Sequence, residues 1–311
     1  MHLLKKLFGK QADSAVHDNP SQCDDMIRMY DSNGNEFLIL RSEYRKKVLP
    51  DIFEKAKHSS DELYGSIVLA LQNGFFEECL SPARKLAQID HDKERSTTIL
   101  GIALMKNNRL DEAQEVLECY LIEKGDSGVI LTNLAKVLAE KGEGVNSTET
   151  LWKALIVDPN QDNALDWWAA IHREKDGDEG FYKAMEMVAQ VPGSWRPQLW
   201  LARRLLEQKK IDSAITIYRK VLESVPDAGD ALRMISGDLG NTGYLAQMLD
   251  LILPLYEPEK HGPQPGLNLI QASIQYGEKE TGLRLCESVE RLQRYDLKQH
   301  LESLRARLEE L

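Results

Sequence analysis

Catalytic or metal chemistry in this chain would fall first to its histidines and cysteines, and neither set has the spacing such work needs. His2, His17, His58, His91, His172, His261 and His300 are scattered, and none shares a local motif with a Cys, an Asp or a second His at ligand intervals. No HExxH helix, GxSxG elbow or glycine-rich phosphate loop occurs. Cys23, Cys79, Cys119 and Cys286 form no CxxC pair. The last three fall in helical patterns, where reduced core thiols are expected, and His172 reads as a structural histidine. One stretch imitates a calcium loop: Asp31, Asn33 and Asn35 alternate as ligands would. An EF-hand then requires Gly and Glu at the sixth and twelfth positions, and the chain supplies Glu36 and Ser42. The expectation is therefore no enzyme, no metal site and no cofactor.

The elements that would carry any site are helical. Residues 194–227 read as two amphipathic helices joined by a short polar turn, with Ala214, Tyr218 and Val221 at helical spacing and Pro226 ending the run. The same marks return upstream. Ala135, Ala169 and Ala202 stand 34 and 33 residues apart, and Pro159, Pro192 and Pro226 stand 33 and 34 apart. A constant interval of this length indicates a stacked repeat, each unit a helix pair that cannot bury its apolar face alone. Small residues at Gly101, Ala135, Ala169 and Ala202 would let the two helices of a pair lie close, with Leu or aromatic neighbours filling the remaining volume.

In period and in residue type the repeat resembles the tetratricopeptide (TPR) family. The match lies in residues 94–227: Leu100, Gly101, Leu104, Ala113 and Leu117; Leu131, Leu134, Ala135, Leu138, Leu151, Ala154 and Pro159; Leu165, Trp168, Ala169 and Pro192; Leu201, Ala202, Leu205, Ala214, Tyr218 and Pro226. Ser147 departs where the family prefers Ala, Gln198 departs at a first position, and the 162–194 unit is one residue short in its turn. The pattern thins to Leu63, Gly74, Ala83 and Leu86 in 60–93 and to Leu269, Gly277 and Val289 in 263–295. It is poorest in 228–262, where Gly237, Gly240 and Gly243 intervene. The resemblance implies an all-α, right-handed superhelical solenoid in which the first helix of each pair lines a concave groove. It also implies which residues point into that groove, and the candidates for partner binding are Arg95, Asn133, Lys136, Asn163, Trp167, Arg173, Arg196, Trp200 and Arg203. Among all the groove positions five are basic and one, Asp166, is acidic. In a chain of net charge −11, that local excess favours an acidic peptide or a carboxylate. Trp167 and Trp200 are equivalent positions one repeat apart, readable either as interface anchors or as stacking on each other or on an adjacent helix. The Lys/Asn clamp with which some family members hold a chaperone's C-terminal carboxylate is absent: counted from 94, Thr98 and Ile102 stand where Lys and Asn are needed and only Asn133 matches, and counted from 128 the positions hold Thr132, Lys136 and Trp167.

Four further regions flank or extend the clear repeats. Residues 1–24 read as a disordered or amphipathic tail, in which Leu3, Leu4, Leu7 and Phe8 with Lys5, Lys6 and Lys10 allow at most weak peripheral membrane contact through residues 1–10. Residues 25–58 read as a β-hairpin turning at Asn33-Gly34 plus a helix capped by Ser42. This part closes the array, or alternatively forms a partner-binding head with Arg41, Arg45, Lys46 and Lys47. Helix pairs fill 59–295, and 296–311 is a terminal helix whose Leu297, Leu301, Leu304 and Leu308 stripe caps the array or makes a homodimer contact. The first 58 residues carry ten basic and nine acidic side chains, so the net negative charge sits in the rest. A body this acidic argues against nucleic acid as a partner. The absence of a signal-peptide pattern or a long apolar run places the expectation in the cytoplasm. The function that follows is a protein-interaction scaffold or adaptor. A ligand-responsive regulatory module, or an enzyme with a site between the N-terminal element and the groove, remains as the alternative.

Overall fold

The computed structural model describes residues 25–30, 36–225 and 229–311. The 1–24 tail, the calcium-like Asp31, Asn33 and Asn35, the Asn33-Gly34 turn, Cys23 and Pro226 lie outside them. The fold is all-α, with one two-stranded antiparallel sheet among the described residues. It divides into two compact units, Met1–Ala164 and Leu165–Leu311. Among the described residues, no helix is long and apolar enough to cross a membrane.

The first unit opens with β1 (Met26–Tyr30) paired to β2 (Glu36–Leu40), Ile27 opposite Ile39 and Met29 opposite Phe37. Ile27, Met29 and Ile39 pack onto the helical core, which gives this small sheet the support a lone hairpin lacks. One helical run follows through Arg41–Glu43, a π-turn at Tyr44–Val48, and α1 (Leu49–Ala56). Ser42 lies inside the first turn; the cap position falls to Leu40, with no side-chain cap bond. Pro50, just inside α1, has no N–H to give the turn behind it. The Leu49 N–H reaches back five residues to the Tyr44 carbonyl, which widens that turn.

Helix pairs then take over: α2 (Ser60–Gln72) with α3 (Leu80–Ile89), α4 (Lys93–Lys106) with α5 (Leu110–Lys124), and α6 (Gly128–Glu140) with α7 (Gly144–Val157). Side-chain oxygens of Ser59, Asp92 and Ser127 cap α2, α4 and α6. Gly101 lies against the Leu117 side chain, where a Cβ would come within 3.0 Å. Ser147 fills its Ala position without strain, because it is buried and its hydroxyl donates to the Ala135 carbonyl at 2.8 Å.

The second unit holds most of α8 (Asp162–Ala189), two helices joined through a tight break at Asp176 and Gly177. The pair α9 (Arg196–Glu207) and α10 (Ile211–Ser224) comes next, followed by α11 (Gly229–Asn241) with α12 (Leu245–Ile252). A short α13 (Pro258–His261) precedes α14 (Pro263–Tyr276), α15 (Lys279–Glu290) and the terminal α16 (Lys298–Glu309). The glycine-rich pair packs as well as its neighbours, with Ile235, Leu239, Met248 and Ile252 all buried. Leu301, Leu304 and Leu308 of α16 are buried within this unit, Leu308 lying against Gly282 of α15, so the leucine stripe has an intramolecular partner. Cys79 and Cys286 are buried, but Cys119 is exposed, on the outer side of α5, and is not the core thiol expected; all three are free.

The turn inside each pair repeats in backbone as well as in position. Gly74, Asn108, Gly142, Lys209, Gly243 and Gly277 all take positive φ, between 58° and 82°. That left-handed residue reverses the chain after the first helix of each pair.

Candidate partner-binding faces

In the first unit, Arg95 is held on three sides. Its guanidinium makes a two-pronged contact with Asp90 at 2.9 and 3.0 Å, reaches Asp61 at 2.8 Å, and lies 4.8 Å from the centre of the Tyr64 ring. Burial alone would raise the Asp90 carboxyl, but hydrogen bonds from Arg95 and from the Asp92 N–H outweigh it and hold Asp90 below the usual carboxylate range. Asn133 is 7% exposed, and its amide donates to the Val129 carbonyl at 2.9 Å. Lys136, one turn further along α6, is half-buried. Burial, and then the nearby Lys106, push its ammonium down to about 7. Asn163 is half-buried in the first turn of α8.

In the second unit the aromatic and basic candidates are interleaved. Trp167 is half-buried beside Trp168, which faces the core at 5% exposure. Trp200 lies flat on Phe181, ring centres 5.8 Å apart and planes 6° from parallel. Arg173 covers Phe181 at 4.1 Å and pairs with Asp178 at 3.2 Å. The buried Arg196 stacks on Trp195 at 4.7 Å and meets Asp230 at 3.4 Å. Arg203 donates to Asp238 at 2.6 Å, and the Tyr218 hydroxyl donates to the other oxygen of the same carboxylate at 3.1 Å. His172 packs against Trp168, and burial, followed by Lys175, lowers its pKa.

Carboxylates thus answer most of the positive charge read from the inner helices, and sequence reasoning missed every one of them. Asp61, Asp230 and Asp238 each sit 34 or 35 residues from their arginine. That interval is one repeat, so the same period that finds the helices could have found the pairs. In the N-terminal element, Arg41 and Arg45 are likewise spent. Arg41 lies over Phe75 and donates to the Asn73 carbonyl, and Arg45 pairs with Glu78 at 2.7 Å. Beside them an apolar cleft of about 470 Å³ opens between α1 and α2, lined by Tyr44, Leu49, Ile52 and Leu69. Among the described residues, no cluster of His, Cys, Asp and Glu gathers to hold a metal ion.

No protein-family model matches the sequence, and no curated protein does. Among solved structures, the chain is similar to a tetratricopeptide repeat protein from Parabacteroides merdae, with 16% identity and TM-score 0.36 over 80% of this chain and 98% of that one. It is also similar to PilF of Pseudomonas aeruginosa, with 18% identity and TM-score 0.35 over 68% and 96%. A third is YrrB, described as a TPR protein with an unusual peptide-binding site, with 14% identity and TM-score 0.30 over 66% and 92%.

Proposed function

We propose that the chain is a protein-interaction scaffold whose first helices of successive pairs receive an extended peptide or a helix, an acidic one by preference. Trp200 carries this reading. Its ring is half-buried and fixed flat on Phe181 beneath Arg173, so it offers a rigid aromatic surface at little further entropic cost. Trp167 supplies a second aromatic in the same unit. Because Arg95, Arg173, Arg196 and Arg203 are already paired, they orient a partner through rigid polar edges more than through free charge. Lys136 adds to the basic character of the inner helices, while Asn133 and Asn163 offer amides for a peptide backbone.

Selection from a phage-displayed random dodecapeptide library on the wild-type chain tests the proposal. Selected peptides should bind Trp200→Ala about thirtyfold more weakly, the loss of a central aromatic anchor worth about 2 kcal/mol. The variant is first shown to melt as the wild type does. Peptides that bind both proteins equally would remove Trp200 from the site, and a library without binders would sink the scaffold reading.

A further inference from the structure

The cleft between α1 and α2 is floored by buried residues and open above. Tyr44, Leu49 and Ala56 are buried at its base, whereas Ile52 is half-buried and Leu69, on the rim, is exposed. Its volume of about 470 Å³ falls in the range of sites that enclose a ligand. Gly65 keeps it open. That glycine sits inside α2, where alanine is the better helix former, and a Cβ there would meet nothing within 4 Å. Neither backbone conformation nor packing among the described residues calls for glycine at 65, so the space above it is left for another occupant. Glu62, Gly65 and Leu69 follow one another along the same helical stripe. Of the two charged residues on the rim, Lys55 pairs with Asp51 at 2.7 Å, while no cation among the described residues answers Glu62.

A segment of matching character joins the structure beside this cleft. The Arg41 N–H donates to the Asp25 carbonyl at 2.7 Å, so residues 1–24 enter one helical turn before Tyr44. At helical spacing Leu3, Leu4, Leu7 and Phe8 fall on one stripe, with Lys5 on one side of it and Lys6 and Lys10 on the other. Residues 1–10 contain no acidic side chain. The reach is sufficient. A flexible chain the length of 11–24 spans about 20 Å on average, and the helical run from Arg41 to Ala56 is about 22 Å long.

We infer that the cleft between α1 and α2 is the docking site for this chain's own residues 3–10. Leu3, Leu4, Leu7 and Phe8 fill the space over Gly65 and Leu69, and one of the flanking lysines reaches Glu62.

The contact removes apolar surface from water on both sides, since the cleft and the stripe are each open until they meet. Attachment through the same chain raises the effective concentration of the segment at the cleft, so a short contact suffices. Salt should weaken it only in part. The lysine at Glu62 is screened at an exposed rim, whereas the burial of the leucines and Phe8 is not. While docked, the segment closes the cleft to other apolar ligands.

The probe is a synthetic peptide of residues 1–12, followed by fluorescence anisotropy against the full chain and against the chain lacking those residues. It should bind the shortened chain at least about tenfold more tightly than the full chain, whose own segment competes for the cleft. Gly65→Leu in the shortened chain puts a side chain into the cleft and should weaken binding at least about tenfold, while melting no lower than its parent. Glu62→Lys should weaken it about threefold. A peptide carrying Leu4→Asp and Leu7→Asp should not bind, a control that leaves the protein untouched. Equal affinity for the full and shortened chains would overturn the proposal, as would binding indifferent to Gly65→Leu or to the two aspartates. A peptide silent toward the shortened chain overturns it too. Dimerisation of that chain in sedimentation would then assign the cleft to a second copy, and full chain carried down with phosphatidylserine vesicles would assign residues 1–10 to a membrane surface.

Discussion

Arg95 shows how a residue placed in a groove by sequence can be doing structural work. Its partner Asp90 is 2% exposed, so removing the guanidinium leaves a carboxylate in a dry position with one backbone N–H to hold it. Arg95→Met should cost about 2 kcal/mol in urea denaturation at pH 7, less than a fully buried pair because Arg95 is partly solvated. The pH dependence gives the sign. A carboxyl held below its unfolded value contributes stability that is present above about pH 4 and lost as pH falls through its folded value. The gap between wild type and variant should therefore narrow in acid, and a gap constant from pH 7 to pH 3 would argue against the pair. The arginine was legible in the sequence, whereas its role was not. Side-chain type identifies a cation, but whether that cation is free depends on a residue 34 positions away that no local pattern marks.

Elements were more legible than residues, since helix pairs follow from apolar spacing and from small residues such as Ala135 and Ala202, both fully buried. What escaped were places where backbone geometry overrides composition. The π-turn at Tyr44–Val48 answers the N–H missing at Pro50, a consequence of one residue felt in the preceding turn. The break in α8 puts the reversal on Asp176 and Gly177, so the unit that reads one residue short is compressed in its turn. The inner turn of α9 and α10 is the plainest case. Lys209 holds φ of 60° at the position where Gly74, Gly142, Gly243 and Gly277 serve four other pairs and Asn108 a fifth. A residue with a Cβ is strained there by about 1 kcal/mol, and Lys209 is exposed, so nothing in packing requires its side chain. Lys209→Gly should raise stability by about 0.5–1 kcal/mol, read as a higher urea midpoint with an unchanged slope. A loss of stability would mean that the lysine stem matters more than the backbone.

At the scale of the whole chain, a stack of pairs is held by contacts between neighbours, so damage should spread along it in order. The terminal α16 gives the clean test in the second unit. Its Leu301, Leu304 and Leu308 are at most 3% exposed, and Arg305 pairs with Glu290 at 2.8 Å while Arg307 reaches Gln271 at 3.0 Å. Deleting residues 298–311 removes about 2 kcal/mol of apolar burial per leucine, partly offset by the freedom those residues regain. The surface laid bare is α15 around Gly282, where Leu308 sits, with α14 behind it. Amide exchange in α15 should then accelerate at least about tenfold, α14 less, while α10, whose Tyr218 and Val221 pack around Leu199 and Ala202, keeps its protection. A uniform loss from α9 to α15 would show that the unit unfolds as one cooperative block. A graded loss would establish that each helix pair depends on the next, and it would leave the face around Trp200 intact in the shortened protein.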